Sequence, residues 1–108
     1  MDRYLLIESM DPMESSSLNT SGELAHSLIQ AGHEVSMFFV ENGVFQTMIA
    51  ESREKLETLM KAGVSVWLDD FSIQERRIRD NLFPKGAHVQ QMGSVVEYIA
   101  GPCKVLWY

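Results

Sequence analysis

Five short apolar runs punctuate the chain, each closed by polar or turn-forming residues: "RYLLIE" at 3–8, "EVSMFFVE" at 34–41, "VSVWL" at 64–68, "AHV" at 87–89 and "KVLWY" at 104–108. A strand covered on both faces needs continuous rather than alternating hydrophobicity, so each run predicts a strand of a buried sheet. Between the runs, apolar positions recur at helical spacing. Leu24, Ala25, Leu28 and Ile29 share one helix face, Gly32 suits the stop, and Ser21 as N-cap opens the helix at Gly22. A second helix is predicted over 44–62, supported by Glu51 with Lys55 and Glu57 with Lys61, and stopped by Gly63. A short third helix begins near Phe71, and a fourth covers 92–100 before Gly101 and Pro102 end it.

Strands alternating with helices at this spacing indicate βαβ units. The expected fold is therefore α/β, with a mainly parallel five-stranded sheet, in one domain over 1–108. Right-handed crossovers put every strand's C-terminal end on one edge of the sheet, where open α/β folds bind their ligands. The first loop on that edge, "SMDPMESSSLNTSG", carries neither GxGxxG nor GxxxxGK[ST], which excludes nucleotide binding through those motifs.

Charge narrows the partners. A formal net charge of −6 suits neither nucleic acid nor an anionic membrane surface, since both require clustered Lys and Arg, and only "RRIR" at 76–79 is locally basic. No stretch approaches the apolar length of a membrane helix, and the N-terminus lacks a signal-peptide pattern. A single cysteine, Cys103, forbids an intrachain disulfide and a Cys-rich metal site, so a reducing, cytoplasmic location is expected. No His, Asp or Glu spacing suggests a metal, and no cofactor is implied. Seven methionines with Trp67, Trp107 and Tyr108 are more apolar surface than so small a domain hides alone, which predicts a homo-oligomer.

The candidate chemistry lies on the strand-end edge. Asp69 and Asp70 end an apolar run just before a helix, where a carboxylate meets free N–H groups and the positive helix end; capping is the simplest role, with a polar ligand site as the alternative. Asp70, Ser72 and Arg76 fall on that helix's first two turns. Arg76 is expected to pair with a carboxylate of this or a neighbouring subunit, or to hold an anion. Ser15, Ser16 and Ser17, ahead of a helix N-terminus, offer a small-anion cradle or a plain polar loop. Cys103 follows Gly-Pro at the opposite edge, as a half-buried structural cysteine would.

From Leu24 to Val44 the order of features resembles the DsrE/DsrF family, which includes the Tus sulfur-relay subunits: a helix, the step Gly32-His33-Glu34-Val35, a strand bearing Phe38-Phe39, and the turn Asn42-Gly43-Val44. The similarity runs on through "VSVWLDDFSIQERRI" and "MGSVVEYIAGPCKVLWY". It implies a three-layer α/β/α sandwich assembling into dimers, trimers or hexamers, in contact with other sulfur-relay proteins. In active members it implies a persulfide-carrying cysteine just past the third strand, as Cys-x-x-Cys followed by Arg-Gly. Laid on this chain, those cysteines fall at Asp69 and Ser72, and Arg-Gly at Arg76-Arg77. Neither a carboxylate nor a hydroxyl can hold persulfide sulfur. The expected function is thus a non-catalytic binding or assembly subunit, with ligand contacts among Ser16, Ser17, Asn42, Asp69, Asp70, Ser72 and Arg76. The alternative is a sulfur carrier that uses Cys103.

Overall fold

The computed structural model describes residues 1–108. Strands β1 (Arg3–Glu8), β2 (Glu34–Phe39), β3 (Ser65–Asp69), β4 (His88–Gln90) and β5 (Lys104–Trp107) form one sheet in the order β4-β3-β2-β1-β5, and every pairing is parallel. The interleaved helices are α1 (Ser17–Gln30), α2 (Ala50–Lys61), α3 (Asp70–Glu75) and α4 (Met92–Ile99). The predicted strands are all present, displaced by a residue or two at their ends.

Alternate residues of each strand point to opposite faces, and the two resulting cores are unequal. Leu6, Met37, Phe39, Val66 and Leu68 pack under α1, α2 and α3 through Leu18, Ala25, Leu56, Leu59 and Ile73. On the other face, Leu5, Ile7, Phe38 and Val40 meet α4 alone, through Val95. The result is a three-layer α/β/α sandwich with one thick and one thin outer layer. Leu5, Leu6, Phe38 and Phe39 are wholly inaccessible, and each such burial stabilises the fold by about 1.5–3 kcal/mol. The thin layer is fastened by Tyr98, whose ring meets Trp67 edge-on at 4.9 Å and whose hydroxyl donates to Glu34 at 3.0 Å.

Two helix predictions need correction. The segment expected as one helix over 44–62 is two: a 3₁₀ helix over Glu41–Met48, then α2, separated at Ile49 by extended backbone. Thr47 holds the first piece closed by donating from its hydroxyl to Val44 O, and Arg53 donates from α2 to Thr47 O. Helix α1 opens at Ser17, with Ser16 in the N-cap position, rather than at Gly22 after a Ser21 cap. Ser21 lies inside the helix and is buried, because its hydroxyl has a tertiary partner that local patterning does not reveal.

Candidate functional site

The C-terminal strand edge holds two networks joined by the four residues that leave β2. The first is at the end of β3. Asp69 is extended, at φ −69° and ψ 120°, and caps α3: its carboxylate accepts from Ser72 N at 3.1 Å and from Ser72 Oγ at 2.5 Å. Ser72 Oγ in turn accepts the Glu41 N–H at 2.8 Å. With Asp69 and Ser72 both buried, these bonds commit the hydroxyl proton and one lone pair to structural partners. Arg76 lies across the outside of this cap. Its Nε donates to Asn42 Oδ1 at 3.1 Å, Nη1 reaches Ser72 O, and its guanidinium sits 5.8 Å from the Phe45 ring centroid. It forms no ion pair within the chain, which leaves its charge free for a carboxylate of a neighbouring subunit or for an anion. Asp70 turns away and accepts from Gln74 on the next turn of α3.

Asp69, Ser72, Asn42 and Arg76 are therefore brought together, whereas Asp70 is not. The backbone shows what a glycine at the Arg77 position would supply, and nothing in it accounts for the arginine that stands there instead. Arg77 follows the end of α3 with φ +51°, the left-handed position that helix termini usually give to glycine. Arginine occupies it at a steric cost.

The second network was not anticipated from the sequence. Glu8, the last residue of β1, is completely buried, and its carboxylate accepts from Ser17 Oγ at 2.9 Å and from Ser21 Oγ at 2.8 Å. Burial raises its pKa above the usual carboxylate range, and the Ser21 and Ser17 hydroxyls oppose that shift. The legible signals were a carboxylate ending a both-faces-buried strand and two serines four residues apart, which share a helix face. Ser17 thus turns inward to Glu8, away from the proposed anion cradle.

The linking residues are Val40 to Gly43. Val40 N donates to Glu8 O at 2.9 Å, Glu41 N reaches Ser72, Asn42 receives Arg76, and Gly43 lies flat against the end of β1. A Cβ on Gly43 would stand 2.1 Å from Glu8 O, so only glycine fits there. Glu41 takes φ +50° to make this turn.

Ser16 is separate from both networks. It lines a cavity of about 460 Å³ between the start of α1 and the start of α2. Cys103 sits at the opposite edge, where β5 begins, half-buried against the thin core. Burial pushes its thiol pKa up, against the lowering influence of the Arg3 guanidinium. His33 is structural, accepting the Asp2 N–H on Nδ1 and stacking on Tyr4. No group of three or more His, Cys, Asp or Glu side chains is placed to hold a metal, and no helix is long and apolar enough to cross a membrane.

Three solved structures share this architecture from end to end. The YchN protein of E. coli superimposes with a TM-score of 0.88 at 20% identity, covering 100% of both chains. BT1422 of Bacteroides thetaiotaomicron, described as a conserved protein of unknown function, gives 0.83 at 15% identity over 99% of this chain and 95% of its own. MTH1491 of Methanobacterium thermoautotrophicum, also of unknown function, gives 0.84 at 13% identity over 100% of both. At these identities the likeness establishes the fold alone. No curated protein matches the sequence. The model of the DsrE/DsrF-like family, however, matches residues 2–108, nearly the entire chain. The chain belongs to the DsrE/DsrF-like family.

Proposed function

We propose that this chain is a DsrE-like subunit of sulfur-relay or related redox metabolism that works by binding and self-assembly and carries no sulfur at the end of β3. The observation supporting this reading is the Asp69–Ser72 pair, at the positions where the resemblance puts the carrier cysteines. A carrier needs a thiolate able to hold a terminal sulfur. Here one position is a carboxylate locked into a helix cap, and the other is a hydroxyl bonded on both sides. The single thiol, at the far edge, has a raised pKa that disfavours the thiolate, and its solitary state suits a reducing, cytoplasmic setting.

Self-assembly draws support from the surface. β5 is an edge strand whose Val105, Leu106 and Trp107 remain 42%, 40% and 63% exposed, and Val96 on the adjoining α4 is 51% exposed. A second copy of the chain would cover this apolar strip and the unpaired strand edge together. Light scattering should give a multimer that Val96→Glu with Trp107→Glu reduces to the mass of one chain. A wild-type protein already at that mass overturns the assembly half of the proposal.

The chemical half is tested with a persulfide donor followed by intact-mass measurement and transfer to an acceptor thiol. No transferable sulfur adduct is expected. An adduct that passes to the acceptor and disappears in Cys103→Ala would assign the carrier role to Cys103 instead.

A further inference from the structure

We infer that two copies of this chain join through β5 itself, the two strands pairing antiparallel about a two-fold axis at Leu106 to make one continuous sheet. The inference rests on the self-assembly proposed above and adds its direction and register. Tyr108 N donates to Ile7 O and Tyr108 O accepts from Ser9 N, so Tyr108 turns both backbone groups toward β1. Backbone groups alternate along a strand, so Leu106 and Lys104 also face β1. The N–H and C=O groups of Val105 and Trp107 therefore point outward, where no other strand lies. Setting Val105 against the partner's Trp107, and Trp107 against the partner's Val105, bonds every one of these groups in both copies.

The side chains agree with the same register. Val105 and Trp107 lie beside Leu5 and Ile7 on the face of the thin layer, and Leu106 lies beside Leu6 on the face of the thick one. A two-fold axis normal to the sheet keeps each face continuous across the joint, so Val105 meets the partner's Trp107 on one face and Leu106 meets its own counterpart on the other. A shift of one residue sets outward groups against inward ones and leaves them unbonded. Charge permits the contact between two acidic copies, because residues 98–108 include none of the chain's 15 carboxylate side chains. Their one base, Lys104, is bonded to Asp2 at 3.1 Å and lies 5.4 Å from the Tyr4 ring centroid. The lysine that would ordinarily guard an edge strand is thus held on its own chain. The opposite edge is unsuited to such a joint, since β4 is three residues long and two of them are His88 and Gln90. A foreign strand can bond the same outward groups, but the match of each apolar side chain to one of this same strand favours a second copy.

The test is mild copper-catalysed oxidation of full chains that carry one cysteine each, in a Cys103→Ala background. Residues facing each other without mutual hydrogen bonds stand about 4.5 Å apart at Cα, within disulfide reach, whereas diagonal neighbours stand about 7–8 Å apart, beyond it. Leu106→Cys should therefore link two chains about tenfold faster than Val105→Cys or Trp107→Cys. Val105→Pro removes an outward N–H while Leu106 keeps its bonds to β1, so it should lower the assembly's mass by about half with an unchanged circular dichroism spectrum. A wild-type multimer in which Leu106→Cys links no faster than the other two, or in which folded Val105→Pro keeps the full mass, overturns this pairing and leaves self-assembly standing. A wild-type protein at the mass of one chain overturns both.

Discussion

Replacing Gly43 by alanine should be among the most damaging single-methyl changes available in this fold. The added Cβ would lie 2.1 Å from Glu8 O and 2.8 Å from Glu8 C, and ordinary contact begins near 3.4 Å, so the two segments must part by about 1.3 Å. Both sides of the clash are backbone, and no side chain can swing away. Separation breaks the Val40 N–H to Glu8 O bond of 2.9 Å and disturbs the Gly43 N–H to Val40 O bond that closes the turn. Each lost bond costs about 1 kcal/mol, and each buried group left unpaired about 1–3 kcal/mol, so the total is about 3–5 kcal/mol. Against a typical stability of about 5–15 kcal/mol that is a large share. Two other glycines provide controls of opposite sign. Alanine at Gly22, inside α1, meets Leu59 at an ordinary 3.7 Å, and at Gly93, in α4, it meets nothing within 4 Å. Both should gain about 0.5–1 kcal/mol from helix propensity. Urea unfolding followed by far-ultraviolet circular dichroism gives all three midpoints. A Gly43→Ala protein within about 1 kcal/mol of wild type, at unchanged m-value, would refute the close-approach argument.

Two further predictions concern charge and conformation. The folded state holds the Glu8 proton more tightly than the unfolded chain does. The Glu8 contribution therefore favours the fold most at low pH and declines as pH rises from the ordinary value near 4.5 through the raised one. Glu8→Gln should flatten that decline, its advantage over wild type growing as pH rises above about 4.5, and parallel curves for the two proteins would contradict the assignment. Arg77→Gly should raise the melting temperature, because relief of the left-handed strain, about 1–2 kcal/mol, exceeds the added unfolded-state entropy of glycine, about 0.4–1 kcal/mol; calorimetry showing a fall would count against it.

What sequence patterning conveyed was whatever a single element determines by itself. The five apolar runs mark strands because burial on both faces leaves no polar alternation, and Asp69 is legible as a cap because a helix start needs an acceptor three residues ahead of a free N–H. The rest depends on contacts between elements. Ser21 looks like an N-cap until Glu8, thirteen residues earlier, is seen to take its hydroxyl. The helical spacing from Val44 onward continues through Ile49, yet the Gly43–Glu8 contact and the Thr47 and Arg53 bonds to nearby carbonyls divide that stretch in two. Asn42 and Arg76 meet only because α3 folds back beside the 3₁₀ segment.

The placement of β5 bears on the order of events during synthesis. β1 sits inside the sheet, between β2 and β5, and its outer hydrogen bonds are made by residues about a hundred positions later; Ile7 O receives Tyr108 N, and Ser9 N reaches Tyr108 O. β1 to β4 can pair as they emerge, but the flank of β1 opposite β2 stays open until residues 104–108 are free to reach it. Such long-range parallel pairing is slow to form. Through that interval the nascent chain exposes an apolar strand edge that another nascent copy, or a chaperone, can reach first.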